Sequence, residues 1–329
     1  MVREKLLIYL EKKKKMFLGK SMLVVLSGGT GGVKLIQGLK EVYPEEKLAI
    51  IANTADDKWL AHGYFSPDID SILYALSNEI NEETWYGIKN DSFATHERLL
   101  KLGYDEYLKI GDIDRAMHIQ RGALLKKMKL CEVIEKQRKA LGIKALVIPM
   151  SDDKVTTRIE TSQGILDLQE FLVKFKALPK VKKIFYEGIY KAKACEKATE
   201  VIKKAKGIII APSNPITSIL PIINLKEIKN ELTKKRNKCI AVSPIVKGQA
   251  VSGPLEKFLR AEKLEPSVCE VAKLYKDFAS KIVIDTEEDE LTTKKIKALD
   301  IDVFKTSIVM REKGEKIKLA SFLLEALRA

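Results

Sequence analysis

The feature that most constrains this chain is an apolar run, Leu23-Val24-Val25-Leu26. It empties into Ser27-Gly28-Gly29-Thr30-Gly31-Gly32 and then into a helical pattern carrying apolar Val33, Leu35, Ile36 and Leu39. A strand without polar alternation reads as buried on both faces, the condition of strands in a parallel sheet covered by helices on either side. A second run, Leu48-Ala49-Ile50-Ile51-Ala52, completes a βαβ unit. Further strand patterns at 145–148, 183–186, 208–211, 239–242 and 282–284 alternate with helical ones. The alternation predicts an α/β protein with a Rossmann-like three-layer αβα core and a mainly parallel sheet.

Residues 1–21 read as a basic N-terminal extension. Residues 22–329 read as a single domain, with a charged helical insertion over about 66–141 that forms a cap, and 155–161 as an antiparallel addition. The balance of 46% hydrophobic and 32% charged residues is that of a folded soluble protein. No apolar run approaches the ~18 residues of a membrane span, and the run at 6–10 is shorter than the roughly 7–15 of a secretory core. The expectation is a cytoplasmic protein with no membrane partner. A net charge of +14 favours an anionic partner, either a nucleic acid or a phosphorylated small molecule. Runs such as Lys234-Lys235-Arg236 read as solvated faces. Cys131, Cys195, Cys239 and Cys269 are far apart, and His62, His96 and His118 are scattered. That spacing matches neither a zinc knuckle nor a redox dithiol and points to reduced, buried thiols.

Ligands of open parallel sheets sit at the carboxyl ends of the strands. After the first strand, the glycine turn Gly28-Gly29-Thr30-Gly31 offers free backbone N–H groups at a helix N-terminus, which suits phosphate. It is not a Walker loop, because Val33 stands where glycine is required, and the dinucleotide pattern fails at Lys34. After the second strand, Asn53-Thr54-Ala55-Asp56-Asp57 places paired carboxylates beside that turn, a pattern suited to Mg²⁺. In Pro67-Asp68-Ile69-Asp70-Ser71, Asp68 reads as a helix N-cap and Asp70 as facing the same cleft. His118 and Arg121 lie on neighbouring helical positions, where an exposed helix face is the plain alternative to a site. Ser213-Asn214-Pro215 forms a stiff turn after a later strand, with side chains suited to a base or phosphate.

Taken in order, these turns resemble the 2-phospho-L-lactate transferase family of coenzyme F-420 biosynthesis. The resemblance runs through Ser27 to Gly32, Asn53 to Asp57, Pro67 to Ser71, Lys109 to Asp114 with His118, Met150 to Asp153, Ala211 to Pro215 and Ser243 to Gly248. It implies transfer of a phosphorylated three-carbon acid, lactyl or enolpyruvyl, from a guanosine diphosphate ester to the ribityl hydroxyl of the deazaflavin Fo, with release of GMP. Mg²⁺ is the implied cofactor and a homodimer the implied assembly. Motif matching puts Asp70 and Lys109 on the deazaflavin. The glycine turn then holds the diphosphate, Asp56 and Asp57 the metal, and Ser213 and Asn214 the guanosine side, while either Asp57 or Asp70 orients or deprotonates the hydroxyl. Nucleic acid is not an expected partner. The segment before Met22 departs from the family pattern.

Two rivals belong to other classes. A sugar-nucleotide-binding regulator of the gluconeogenesis-factor type shares the glycine turn; Trp59, His62-Gly63 and Pro67 to Asp70 favour the transferase over it. An NAD-dependent oxidoreductase is disfavoured by the failed glycine spacing and by Asn53-Thr54 where an acid would hold a ribose.

Overall fold

The computed structural model describes residues 22–328. The basic extension expected at 1–21 lies outside the described residues.

Fourteen strands are present among the described residues. In chain order they are β1 (Leu23–Ser27), β2 (Leu48–Ala52), β3 (Lys58–Leu60), β4 (Gly63–Phe65), β5 (Leu146–Pro149), β6 (Thr156–Thr161), β7 (Gly164–Asp167), β8 (Val181–Glu187), β9 (Gly207–Ile210), β10 (Cys239–Val242), β11 (Ile245–Val246), β12 (Gln249–Ala250), β13 (Lys281–Ile284) and β14 (Asp302–Lys305). Seven of them form one sheet in the order β14-β13-β10-β9-β1-β2-β5, and every pairing in it is parallel. β1, β2, β9 and β10 are buried along their whole length, as their unbroken apolar runs require. Val24 and Leu26 of β1 feed one core, and Leu23 and Val25 feed the other. Alternate side chains of a strand point to opposite faces, so one short run serves two hydrophobic layers.

On one face lie α1 (Gly29–Val42), α2 (Pro67–Ser77) and the C-terminal helix (Lys313–Ala326). The helices α3 (Ala94–Lys101), α4 (Asp112–Leu124) and α5 (Leu130–Ala140) follow α2 in the chain. α6 (Glu196–Lys204) packs into the core on the opposite face. There a π-helical turn, Pro215–Ile219, leads into a short helix at Leu220–Ile223.

One strand expectation needs correcting, and one strand was not expected. The segment at 183–186 is not in the parallel sheet; it is part of β8, which pairs antiparallel with β6 in a separate sheet ordered β7-β6-β8. Its two inward residues, Val181 and Ile184, are interrupted by exposed lysines, which is the pattern of a sheet covered on one side only. The edge strand β14 has no apolar run to announce it, because Asp302 is exposed and its neighbours are only partly buried.

Strand order reverses at β1. The chain moves from β1 through β2 to β5 on one side, then returns to β9 and continues to β14 on the other. The crevice between the carboxyl ends of β1 and β9 is therefore the position where an open α/β sheet places its ligand.

Candidate functional site

The glycine turn crosses that crevice. Gly28 is the extended N-cap of α1 and supplies no capping side chain, so the first N–H groups of the helix face outward. Gly29 has a φ of +61°, a left-handed conformation that favours glycine. Contact with the turn after β9 is close: a Cβ on Gly31 would sit 2.0 Å from the Pro212 carbonyl oxygen. The Gly28 N–H donates to Ser213 Oγ at 3.4 Å.

The Gly29 N–H donates to Asp68 Oδ1 at 2.6 Å. Asp68 is thus not the cap of its own helix, as its position suggested. Ser66 occupies that place, and the Asp68 carboxylate reaches across to the start of α1. The Asp68 carboxyl group already sits where the glycine turn invites an anion.

Behind it lies a cluster of acids, Asp57 and Asp68 buried and Asp56 half-buried, with Asp56 joined to Asp68 by Asn53. Its Nδ2 donates to Asp68 Oδ2 at 2.9 Å and to Asp56 Oδ2 at 3.3 Å, while its Oδ1 accepts from the Ala55 N–H at 3.0 Å. Asp57 Oδ1 accepts from Ser66 Oγ at 2.7 Å. Asp56 Oδ1 and Asp57 Oδ2 are buried and have no hydrogen-bond partner. Burial, then the neighbouring charges of Asp68 and Asp57, pushes Asp56 well above the usual carboxylate range. Burial also raises Asp57, against the opposing Ser66 hydroxyl and Arg121. Asp68 is raised by burial despite its bonds from Gly29 and Asn53. Hard oxygen donors, short of partners and repelling one another, are what a divalent cation satisfies.

Asp70 is different. Burial alone would raise it, but Arg121 and His118 more than offset that and hold its carboxyl at about 2. Arg121 grips both oxygens, Nη2 donating to Oδ1 and Nη1 to Oδ2 at 3.1 Å. Its Nε donates to Gln137 Oε1 of α5 at 3.0 Å. His118 Nε2 lies 3.1 Å from both Asp70 Oδ2 and Asp114 Oδ1, and the Tyr74 hydroxyl donates to Asp114 Oδ1 at 2.6 Å. His118 and Arg121 are completely buried, so the exposed-face alternative fails. The donor atoms of Asp70, Asp114 and His118 lie within 4.8 Å of one another, a spacing that could hold a metal. Here, however, Asp70 already has its counter-charge in Arg121.

The network continues outward. Arg115 Nη1 contacts His62 Nδ1 at 2.8 Å, and His62 Nε2 lies 3.2 Å from His118 Nδ1. Arginine only donates, so His62 accepts from it at Nδ1. Burial, Arg115 and His118 together push His62 down to about 4, which keeps it neutral. Arg115 in turn forms a two-pronged pair with Glu106, which also bonds His96 Nδ1 at 2.8 Å.

A cleft of about 420 Å³ joins these groups. Gly29, Thr30, Gly31, Asp56, Asp68, Asp70, Lys109, Ser213 and Asn214 line it. Gly28, Asn53, Asp57 and Pro215 do not; Asn53 and Asp57 stand behind the wall as buried supports. Asn214 Oδ1 accepts from the Ile216 and Thr217 N–H groups, which ties its oxygen to the helical turn rather than to a ligand. Apolar and aromatic side chains, Trp85, Tyr86, Tyr107, Leu172 and Phe258 among them, also line the cleft. Lys109 is part of the same lining, and its Nζ is 4.2 Å from the centre of the Phe93 ring. Asp68, as the partner of the glycine turn, and Arg121, as the clamp on Asp70, were not assigned those roles from sequence. The Asp-x-Asp pattern at the start of α2 was the only signal for the first.

Residues 23–319 match the family described as 2-phospho-L-lactate transferase CofD. The 2-phospho-L-lactate transferase of Methanocaldococcus jannaschii is 46% identical over 309 residues, covering 92% of this chain and 97% of that protein. Those of Methanothermobacter thermautotrophicus and Methanosarcina mazei are 41% and 40% identical, again over 92% of this chain. Among solved structures, protein BH3568 of Bacillus halodurans, a member of the UPF0052 family, superposes with a TM-score of 0.61 at 19% identity. It covers 93% of this chain and 99% of its own, a likeness of fold. This chain belongs to the 2-phospho-L-lactate transferase family.

Proposed function

We propose that this chain carries out the transfer its family is named for, with the cleft at the β1–β9 crevice holding both substrates. The guanosine diphosphate ester lies along the glycine turn, its phosphates taking the backbone N–H groups of Gly29 to Gly31 and displacing the Asp68 carboxylate. The deazaflavin lies against the aromatic side chains of the lining and Lys109, with its ribityl hydroxyl directed toward Asp70. Phosphoryl transfer needs positioning and charge neutralisation more than a covalent protein intermediate.

Mg²⁺ fits the acid cluster, because Asp56 and Asp57 each keep a buried oxygen without a partner. When bound there, the ion supplies charge neutralisation for the diphosphate oxygens. Asp70, clamped by Arg121 and His118, is a weak base and a well-oriented acceptor. Its role in this reading is to accept the hydrogen bond of the incoming hydroxyl and fix its line of approach. A cytoplasmic homodimer belongs to the same reading, and sedimentation at two protein concentrations tests the dimer.

The observation that carries the proposal is the meeting of the glycine turn with Asp56, Asp57 and Asp68 at one switch point, two of their oxygens buried without partners. Incubation with Mg²⁺, the guanosine diphosphate ester of lactate and Fo, followed by mass analysis, should yield the phosphodiester and GMP. Donor binding without product would instead favour a regulatory nucleotide-binding protein.

A further inference from the structure

Cys131 and Cys195 are far apart in sequence, and the fold brings them together. Cys131 is the second residue of α5, Cys195 immediately precedes α6, and Asp152 lies in the turn after β5. The two sulfurs and an Asp152 oxygen lie within 4.8 Å of one another. None of these residues lines the cleft described above.

The backbone holds the group in place from three sides. The Cys131 N–H donates to Asp152 Oδ1 at 2.8 Å, and the Cys195 N–H to the Met150 carbonyl at 2.9 Å. Ser151 and Ala194 form an isolated bridge, and Ser151 Oγ donates to the Lys193 carbonyl at 2.6 Å. Asp153 Oδ2 accepts from the Lys193 N–H at 2.8 Å. Cys195 is buried, Cys131 half-buried and Asp152 exposed, so the cluster has a closed side and a side open to solvent.

We propose that Cys131, Cys195 and Asp152 bind a thiophilic divalent cation of the zinc class. Two sulfur donors select a soft or borderline ion over Mg²⁺, and a carboxylate with one open position completes a four-coordinate site. Binding exchanges two thiol protons for one cation, leaving two thiolates, the metal and two protons in solution. The site would cross-link the start of α5 to the start of α6, which packs on the sheet. It is independent of the transferase chemistry and of the Mg²⁺ assignment.

The full-length chain, reduced and stripped with a chelator, is titrated anaerobically with Co²⁺. One equivalent should produce the near-ultraviolet thiolate-to-cobalt band with tetrahedral visible bands, and Zn²⁺ should displace it. Cys131→Ser or Cys195→Ser should abolish the band, and Asp152→Ala should weaken binding by at least about tenfold. Circular dichroism of each variant verifies that it is folded, and the wild-type titration stands even where a variant is not. Absence of the band in reduced wild-type protein overturns the proposal, as does its survival in the double serine variant. A Cys131–Cys195 disulfide in anaerobically purified protein also overturns it, in favour of a redox pair.

Discussion

Asp56 and Asp70 are two carboxylates on one cleft whose pKa values are pushed in opposite directions, and their substitutions should separate cleanly. Asp56→Asn removes one member of a repelling acid cluster. In metal-free protein it should raise the melting temperature, with a gain of roughly 0.5–2 kcal/mol, while the stabilisation that Mg²⁺ gives the wild type disappears. A scan with and without Mg²⁺ checks both halves. An unchanged Mg²⁺ response would move the ion away from Asp56. Asp70→Asn acts in the other direction, because Arg121 loses its counter-charge. Turnover with saturating Fo should fall by about 10²–10⁴-fold, the range of a positioned group acting on a proton. Wild-type turnover would remove Asp70 from the reaction. Both acids could be read from sequence as candidates, but their opposite states could not, since these depend on Arg121 and on Asp68 from other elements.

At the scale of elements, the site depends on contacts between turns that belong to different strands. Gly31 meets the Pro212 carbonyl, so the loops after β1 and β9 pack backbone against backbone there. Gly31→Ala forces them apart and should destabilise by about 1–3 kcal/mol, with donor affinity lost as the N–H groups shift. Chemical denaturation and donor titration measure the two effects. Normal values for both would mean that the crevice is more pliant than this packing implies. Helix α4 likewise holds Asp70 through Arg121 and His118. Arg121→Met leaves a buried carboxylate without its partner and should cost about 3–5 kcal/mol. The double variant with Asp70→Asn should recover much of that loss, which a purely steric role for Arg121 would not allow. The glycine turn was legible because its residues are consecutive. The clamp was not, because a buried arginine and a solvated one look alike on a helical wheel.

For the molecule as a whole, the ionised groups should shape stability against pH. Asp70 has a folded pKa of about 2, against about 3.9 in an unfolded chain. Its contribution is therefore present above roughly pH 4 and lost as pH falls toward 2. Asp56, Asp57 and Asp68 are raised, so near neutrality they oppose folding, and they cease to do so as acid protonates them. Metal-free protein should accordingly be most stable on the acid side of neutral, and Mg²⁺ should flatten that dependence. Melting curves across pH, with and without Mg²⁺, would show it. A metal-free maximum at alkaline pH would contradict the assigned burial of the three acids.

The amino-acid sequence alone determined the parallel core and the position of the glycine turn. Those properties are local: unbroken apolar runs commit a strand to burial on both faces, and consecutive glycines commit a turn to bare backbone. It also placed Asp56, Asp57, Asp70 and Lys109 among the candidates through ordered motifs. Tertiary structure decided the rest. It took 183–186 out of the main sheet, turned Asp68 onto the glycine turn, buried His118 and Arg121 around Asp70, and brought Cys131 to Cys195. Each of these is set by which surfaces pack together, and pairings between residues remote in the chain leave no periodic mark on either segment.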